Sequence, residues 1–201
     1  MPVPPDEPFA AVLRALARPA AASSDFDLNP NYKPPADRVL RSAAVLVPLI
    51  GARGGEVILT KRSSHLKHHP GQIAFPGGKV EASDPSIEAA ALREAHEEIG
   101  LDPGAVDLLG RLPSHETVTN FTVTPVLGRI RDDFTPQLQV DEVAEVFRVP
   151  LAHVTDLARF RIERRQWRGE WRFYYAVPWG PYYIWGATAR ILYGLARRMA
   201  E

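Results

Sequence analysis

The spacing of apolar positions changes along the chain, and each spacing predicts an element. Phe9, Val12, Leu13 and Leu16 recur at three- and four-residue steps and predict a short helix over residues 9–18, ended by Pro19. The run AAVLVPLI within residues 41–50 reads as a strand. Residues 56–60 return as a second strand after a turn at 51–55. Residues 72–75 predict a short strand feeding a Gly-Gly turn at Gly77 and Gly78. An alanine-rich helix follows, with Ser86 or Asp84 as its cap, Pro85 near its first turn, and Leu92, Ala95 and Ile99 as its buried stripe. Residues 102–109 pass through a Pro-Gly turn into a strand, and 110–120 read as a polar loop. Residues 121–127 form a strand, and 129–137 a loop rich enough in charge to flank a ligand. A short helix is expected over 151–157. The aromatic runs 171–175 and 182–185 read as strands about a VPWGP turn. A last helix runs from Gly186 to about Met199, packing through Ala189, Leu192, Tyr193 and Ala196. Short strands interleaved with helices place the chain in the α/β class.

Composition narrows this picture. At 201 residues the chain suits one domain with a substantial core. Eight of the 19 prolines fall in residues 1–37, so that stretch reads as an arm ahead of a domain over 38–201. Its first eight residues are expected to be loose. The rest packs across the domain or against a partner subunit, as in a homodimer. Lys plus Arg equals Asp plus Glu at 24 each, which gives no electrostatic reason to expect a stable nucleic-acid partner. The absence of cysteine excludes disulfides, thiolate catalysis and Cys-ligated zinc, and fits a cytoplasmic setting. The apolar run 43–50 is too short to span a bilayer and contains Pro48, so no membrane association is expected. The N-terminus lacks the pattern of a secretory signal.

The chemistry is concentrated in REAHEE, residues 93–98. At about 100° per residue, Glu94 and Glu98 lie about 40° apart and Glu97 flanks them, so three carboxylates share one wall. A lone Glu-Glu pair near a helix end is an ordinary solvated face. Three like charges repel, and a hard divalent cation such as Mg²⁺ or Mn²⁺ removes that cost by accepting carboxylate oxygens. Upstream, KRSSHLKHHP is a basic loop whose charges suit phosphate oxygens. His65, His68 and His69 make no convincing zinc set. Glu142 sits far along the chain and has two readings, an edge-strand charge or a carboxylate that returns in space to the helix. The aromatic runs can stack a base, although core packing is their commoner role.

Residues 71–101, GQIAFPGGKVEASDPSIEAAALREAHEEIGL, resemble a Nudix box. Gly78, Arg93, Glu94, Glu97, Glu98, Gly100 and Leu101 match its pattern. Asp84 stands where Glu is usual, eight residues rather than seven separate it from Arg93, and Ala95 replaces a larger aliphatic residue. Together with Leu59-Thr60-Lys61-Arg62-Ser63, Lys67, Gly71 and Phe75-Pro76-Gly77-Gly78, the segment resembles the coenzyme A pyrophosphatase branch of that family, as does the terminal WGATA segment. The branch usually has Arg at the place of Lys67, and commonly has the longer spacing and the Asp. The resemblance implies a Nudix α/β/α sandwich with a mixed central sheet, and residues 141–151 resemble its later strand and junction. It implies Mg²⁺ or Mn²⁺ held by Glu94, Glu97, Glu98 and the Gly78 carbonyl, and phosphate contacts from Arg62 and Lys67. Glu97 or Glu142 could act as base, or water activated by the metal could suffice. Asp84 and Arg93 have structural roles open to them, as cap and as organiser of the box. The implied substrate is coenzyme A or a derivative, cleaved to 3′,5′-ADP and a phosphopantetheine species. ADP-ribose or another nucleoside diphosphate derivative is the alternative, and a non-catalytic nucleotide-binding protein of the same fold is the third.

Overall fold

The computed structural model describes residues 9–32, 34–35, 37–51, 55–66, 69–167 and 169–201. In chain order the elements are α1 (Ala10–Ala17), β1 (Ser23–Ser24), β2 (Arg41–Ile50), β3 (Glu56–Arg62), β4 (Ile73–Ala74), β5 (Gly77–Lys79) and α2 (Ile87–Ile99). They continue with β6 (Val106–Arg111), β7 (His115–Glu116), β8 (Phe121–Ile130), β9 (Val143–Pro150), α3 (Leu151–Val154), β10 (Arg161–Trp167), β11 (Glu170–Ala176) and α4 (Ala187–Ala200).

β2 is the spine. It runs parallel to β8 and antiparallel to β3 and β5. β3 adds β4 and β9, β8 adds β6 and β7, and β1 joins β7 in parallel, so the nine-stranded sheet is mixed. Alternation along β2 explains why helices cover both faces. Ala44, Leu46 and Ile50 pack under α2, against Ala90, Ala91, Ala95 and Ile99. Val47 and Leu49 point the other way, into a core with Phe9, Val12 and Ala15 of α1 and Ala189, Leu192 and Leu195 of α4. The result is an α/β/α sandwich. β10 and β11 form a separate two-stranded sheet beside it.

Several local expectations change. The Gly-Gly segment is the strand β5, not a turn, because both glycines pair with Ala44 and Val45 of β2. The polar 110–120 stretch contains β7, which a two-residue length hides from any periodicity. β8 extends three residues beyond its predicted end, so the loop that follows begins at Arg131. The aromatic run 171–175 lies in β11, but its partner is the charged run RIERRQW of β10 rather than 182–185. The second aromatic run meets β11 through the single bridge Ala176↔Trp185. Residues 1–8 and Lys67 lie outside the described residues.

Candidate active site

Three local devices deliver the site. Ser86 caps α2, its hydroxyl accepting from the Ala89 N–H at 3.1 Å, and Gly100 ends the helix in the left-handed conformation at φ 70°. This fixes the phase that turns Ala95 and Ile99 into the core and Glu94, Glu97 and Glu98 towards β5 and the end of β3. Leu92 is partly buried beside the same core. The second device is β5. A side chain on Gly77 would place its Cβ 2.4 Å from the Ala44 carbonyl oxygen, and one on Gly78 would reach 2.6 Å from the Glu94 carboxylate. Only glycines let strand and helix approach this closely.

The third device is a register shift between Lys61 and Arg62, where β3 pairs with β9. Such bulges re-aim side chains at strand ends. Here the shift brings Arg62 and Glu142 to the cavity, and the Ser63 N–H donates to the Glu142 carbonyl at 2.8 Å. The cavity, about 810 Å³, is lined by Arg62, Gly77, Gly78, Lys79, Glu81, Arg93, Glu94, Glu97, Glu98, Gln139 and Glu142. The structure therefore brings together every sequence-predicted site residue it describes. None of the charged 129–137 stretch lines the cavity. Gln137 instead donates its backbone N–H to the Ile99 carbonyl and packs at the end of α2. Lys79 and Gln139 were not singled out from the sequence. Lys79 follows two glycines with no periodic signal, and Gln139 is placed by donating its N–H to the Glu98 carbonyl.

The carboxylates are not equivalent. Glu98 is 3% exposed, Glu94 is half-buried, and Glu97 and Glu142 reach solvent. Burial pushes the Glu98 carboxyl up to about 7. The Gly77 N–H, at 3.1 Å, and Arg62, at 4.0 Å, oppose the shift without cancelling it, and the nearby Glu94 and Glu142 add to it. Glu94 is raised by the same burial, offset partly by Arg93.

Arg93 organises the box. It holds Asp84 in a two-pronged contact at 2.9 and 3.0 Å, reaches Glu94 and Glu97 at 3.0 Å each, and donates to the Lys79 carbonyl at 3.1 Å. Asp84 also accepts from the Glu81 N–H, and the Arg93 hydrogen bonds hold its carboxyl below its ordinary value. Both groups are thus engaged structurally.

The donor set suits a hard divalent cation. Glu94 and Glu98, neighbouring carboxylates whose charged forms burial disfavours, gain most from one. Among the described residues no three acidic or histidine side chains close into a ready-made cage. The carboxylates stand instead around an open cavity, two of them turned towards Arg93.

A family model described as the NUDIX domain matches residues 40–170. The chain belongs to the Nudix family. It is 45% identical over 156 residues to "Uncharacterized Nudix hydrolase NudL" of Enterobacter sp. (strain 638), covering 78% of this chain and 81% of that protein. The protein of the same name from Cronobacter sakazakii (strain ATCC BAA-894) is 44% identical over 161 residues, or 80% of this chain and 84% of that one. A solved Nudix hydrolase from M. smegmatis, RenU, aligns over 61% of this chain and 84% of its own, with 22% identity and a TM-score of 0.49. As a Nudix hydrolase the protein is a pyrophosphatase of nucleoside diphosphate derivatives, a class that uses divalent metal ions. No helix among the described residues is long and apolar enough to cross a membrane.

Proposed function

We propose that this Nudix hydrolase cleaves the diphosphate bridge of coenzyme A or its acyl derivatives. Water adds across the P–O–P linkage, one P–O bond forms as another breaks, and the products are 3′,5′-ADP and a phosphopantetheine species. The observation that carries the reading is the convergence on one cavity of Arg62, from the upstream signature, with Gly77, Gly78 and the box glutamates.

Glu94, Glu97, Glu98 and the Gly78 carbonyl would hold Mg²⁺ or Mn²⁺. The bound ion would supply neutralisation of phosphate charge and acidification of water. Arg62 lies at the cavity with its guanidinium 4.0 Å from Glu98, and would take non-bridging phosphate oxygens as charge develops there. Lys67 is proposed as its companion from the signature alone. Glu142 is exposed on the cavity wall and has no ion pair among the described residues, whereas Glu97 is engaged by Arg93 at 3.0 Å. Those contacts favour Glu142 as the group that takes the proton from attacking water.

A substrate panel with product masses tests the reading. Coenzyme A, acyl derivatives, dephospho-coenzyme A, ADP-ribose, nicotinamide dinucleotides and dinucleoside polyphosphates are compared at matched Mg²⁺ and Mn²⁺. Preference for the coenzyme A group is expected. Efficient ADP-ribose turnover with little coenzyme A turnover would overturn the substrate while leaving the reaction class. Products other than an adenosine bisphosphate and a phosphopantetheine species would overturn the cleavage position.

A further inference from the structure

The β10–β11 hairpin stands apart from the main sheet, and two-stranded sheets are marginal in water unless something covers them. One edge is covered. Phe173 of β11 accepts a hydrogen bond from the Asn29 side-chain amide at 3.0 Å and donates its N–H to the same side chain at 2.9 Å. The Tyr175 carbonyl accepts from the Gly186 N–H at 3.0 Å. The other edge, along β10, has no backbone partner among the described residues.

The covered edge fixes the geometry of the free one. Phe173 and Tyr175 turn backbone groups away from β10, so their cross-strand neighbours Arg164 and Ile162 form non-hydrogen-bonded pairs with them. Arg164 and Ile162 therefore turn their own N–H and C=O outward, as does Gln166 by the two-residue repeat. Ile162, Trp171 and Phe173 share one face of the hairpin and are 56%, 53% and 40% exposed. Arg164 lies over the Trp171 ring at 4.5 Å. On the other face stand Glu163 and Arg165, neither in an ion pair among the described residues. The Tyr183 hydroxyl donates to Glu163, and Arg165 lies over the Trp185 ring at 4.9 Å.

We infer that the free β10 edge is a self-association surface, where β10 of a second copy pairs antiparallel about a two-fold axis through Arg164. A two-fold axis at any residue of 162–166 puts outward backbone groups opposite one another, but at Ile162 or Gln166 only the central outward pair stays within β10. Centring on Glu163 opposes two glutamates, and centring on Arg165 opposes two arginines, both at the close, non-hydrogen-bonded position. Centring on Arg164 places Glu163 opposite the second copy's Arg165, twice by symmetry. It pairs Ile162 with Gln166 and makes about six backbone hydrogen bonds. The Arg164 pair then falls at the wider hydrogen-bonded position, each guanidinium folded back over its own Trp171. Charge on an edge strand ordinarily blocks pairing. Here both signs are present, and they are self-complementary in the register that makes the most backbone hydrogen bonds. The merged four-stranded sheet joins the exposed Ile162, Trp171 and Phe173 faces of both copies.

Sedimentation of the full chain across a concentration series tests this, with thermal unfolding as a check of folding. A dimer is expected for the native sequence. Glu163→Arg (E163R) and Arg165→Glu (R165E) each oppose like charges at two symmetric positions, and should weaken the dimer by at least about tenfold. The double variant E163R/R165E restores complementarity and should restore the dimer. A monomeric native chain at about 100 µM, well above the micromolar Kd expected of a modest interface, overturns the inference. So does a dimer indifferent to both single changes, or a folded double variant that stays monomeric. Hydrolysis rates of the same variants are independent of this outcome, because neither residue lines the active-site cavity.

Discussion

Glu98 shows what burial does to one residue of the box. Its carboxyl moves from an ordinary 4.5 to about 7. Between those values the folded, metal-free protein keeps a proton that the unfolded chain has released. Stability therefore falls as pH rises through 4.5 to 7 and levels off above, by about 3 kcal/mol at most from this group. Asp84, held down by its Arg93 hydrogen bonds, and Glu88 of α2, held down by those from Arg111 of β6, act in the opposite sense, with stability lost as pH falls below 4.5. Glu98→Gln (E98Q) keeps an acceptor for the Gly77 N–H and removes the buried charge. It should flatten the pH 5–8 dependence of the metal-free melting temperature and leave the chain at least as stable at pH 8, while lowering kcat by a hundredfold or more. Parallel loss of folded protein and activity would show that the charge is structural. Glu142→Gln (E142Q) should lower kcat about a hundredfold with little change in melting temperature, as expected for a general base. A near-native rate would retire Glu142 and leave the box intact. The sequence singles out Glu94, Glu97, Glu98 and Glu142 as candidates. Their inequality is not legible there, because helical phase places three carboxylates on one wall without saying how deeply each is covered. Depth comes from β5 and β3, which lie against α2 only in the folded chain.

At the scale of elements, α2 and β5 work as a pair. Gly78→Ala (G78A) should preserve the β2–β5 backbone pairing, since Gly78 has no positive φ, yet its new Cβ would lie 2.6 Å from the Glu94 carboxylate. Glu94 must swing away, and Mn²⁺ affinity, read by paramagnetic titration, should fall roughly tenfold or more, as when the support of a metal ligand is lost. Unchanged affinity would remove Glu94 from the metal set. Ser86→Ala (S86A), by contrast, should cost about 1 kcal/mol of stability with little change in affinity, because it loosens the far end of the helix. The sequence located α2, β2, β3 and α4 well, since each has a long apolar repeat. It missed β5 and β7, which are two or three residues long and defined by their neighbours. It also missed β10, where charge masks the alternation. The β3–β9 bulge that presents Arg62 and Glu142 leaves no signal in either strand alone.

For the molecule as a whole, the two faces of the sheet divide the work. The box, Arg62 and the cavity lie on the α2 side. The opposite face is closed by α4 together with α1, from the stretch that its prolines mark out as an arm. Proline content says where regular structure stops, not whether the intervening residues are buried. Phe9 is 2% exposed and Val12 and Ala15 are fully buried in the larger core. Downstream, the buried His115 binds Ser23 through one ring nitrogen and Asp25 through the other, each at 3.0 Å, and Asn29 pairs with Phe173. These contacts, with the Asp27–Arg190 ion pair at 2.9 Å, spread the N-terminal segment across β7, α4 and β11. Removing the Phe9 ring should leave a cavity beside Gly55 and Val12, at a cost of about 3–5 kcal/mol. Because that cavity lies across the sheet from the glutamates, Phe9→Ala (F9A) should lower the melting temperature markedly while the folded fraction retains its kcat and divalent-metal dependence. Urea unfolding paired with rates measured well below the transition separates the two quantities. A chain whose stability is indifferent to F9A would make the segment an appendage. A folded F9A protein with altered kcat would mean that the two faces are coupled through β2, whose side chains alternate between them.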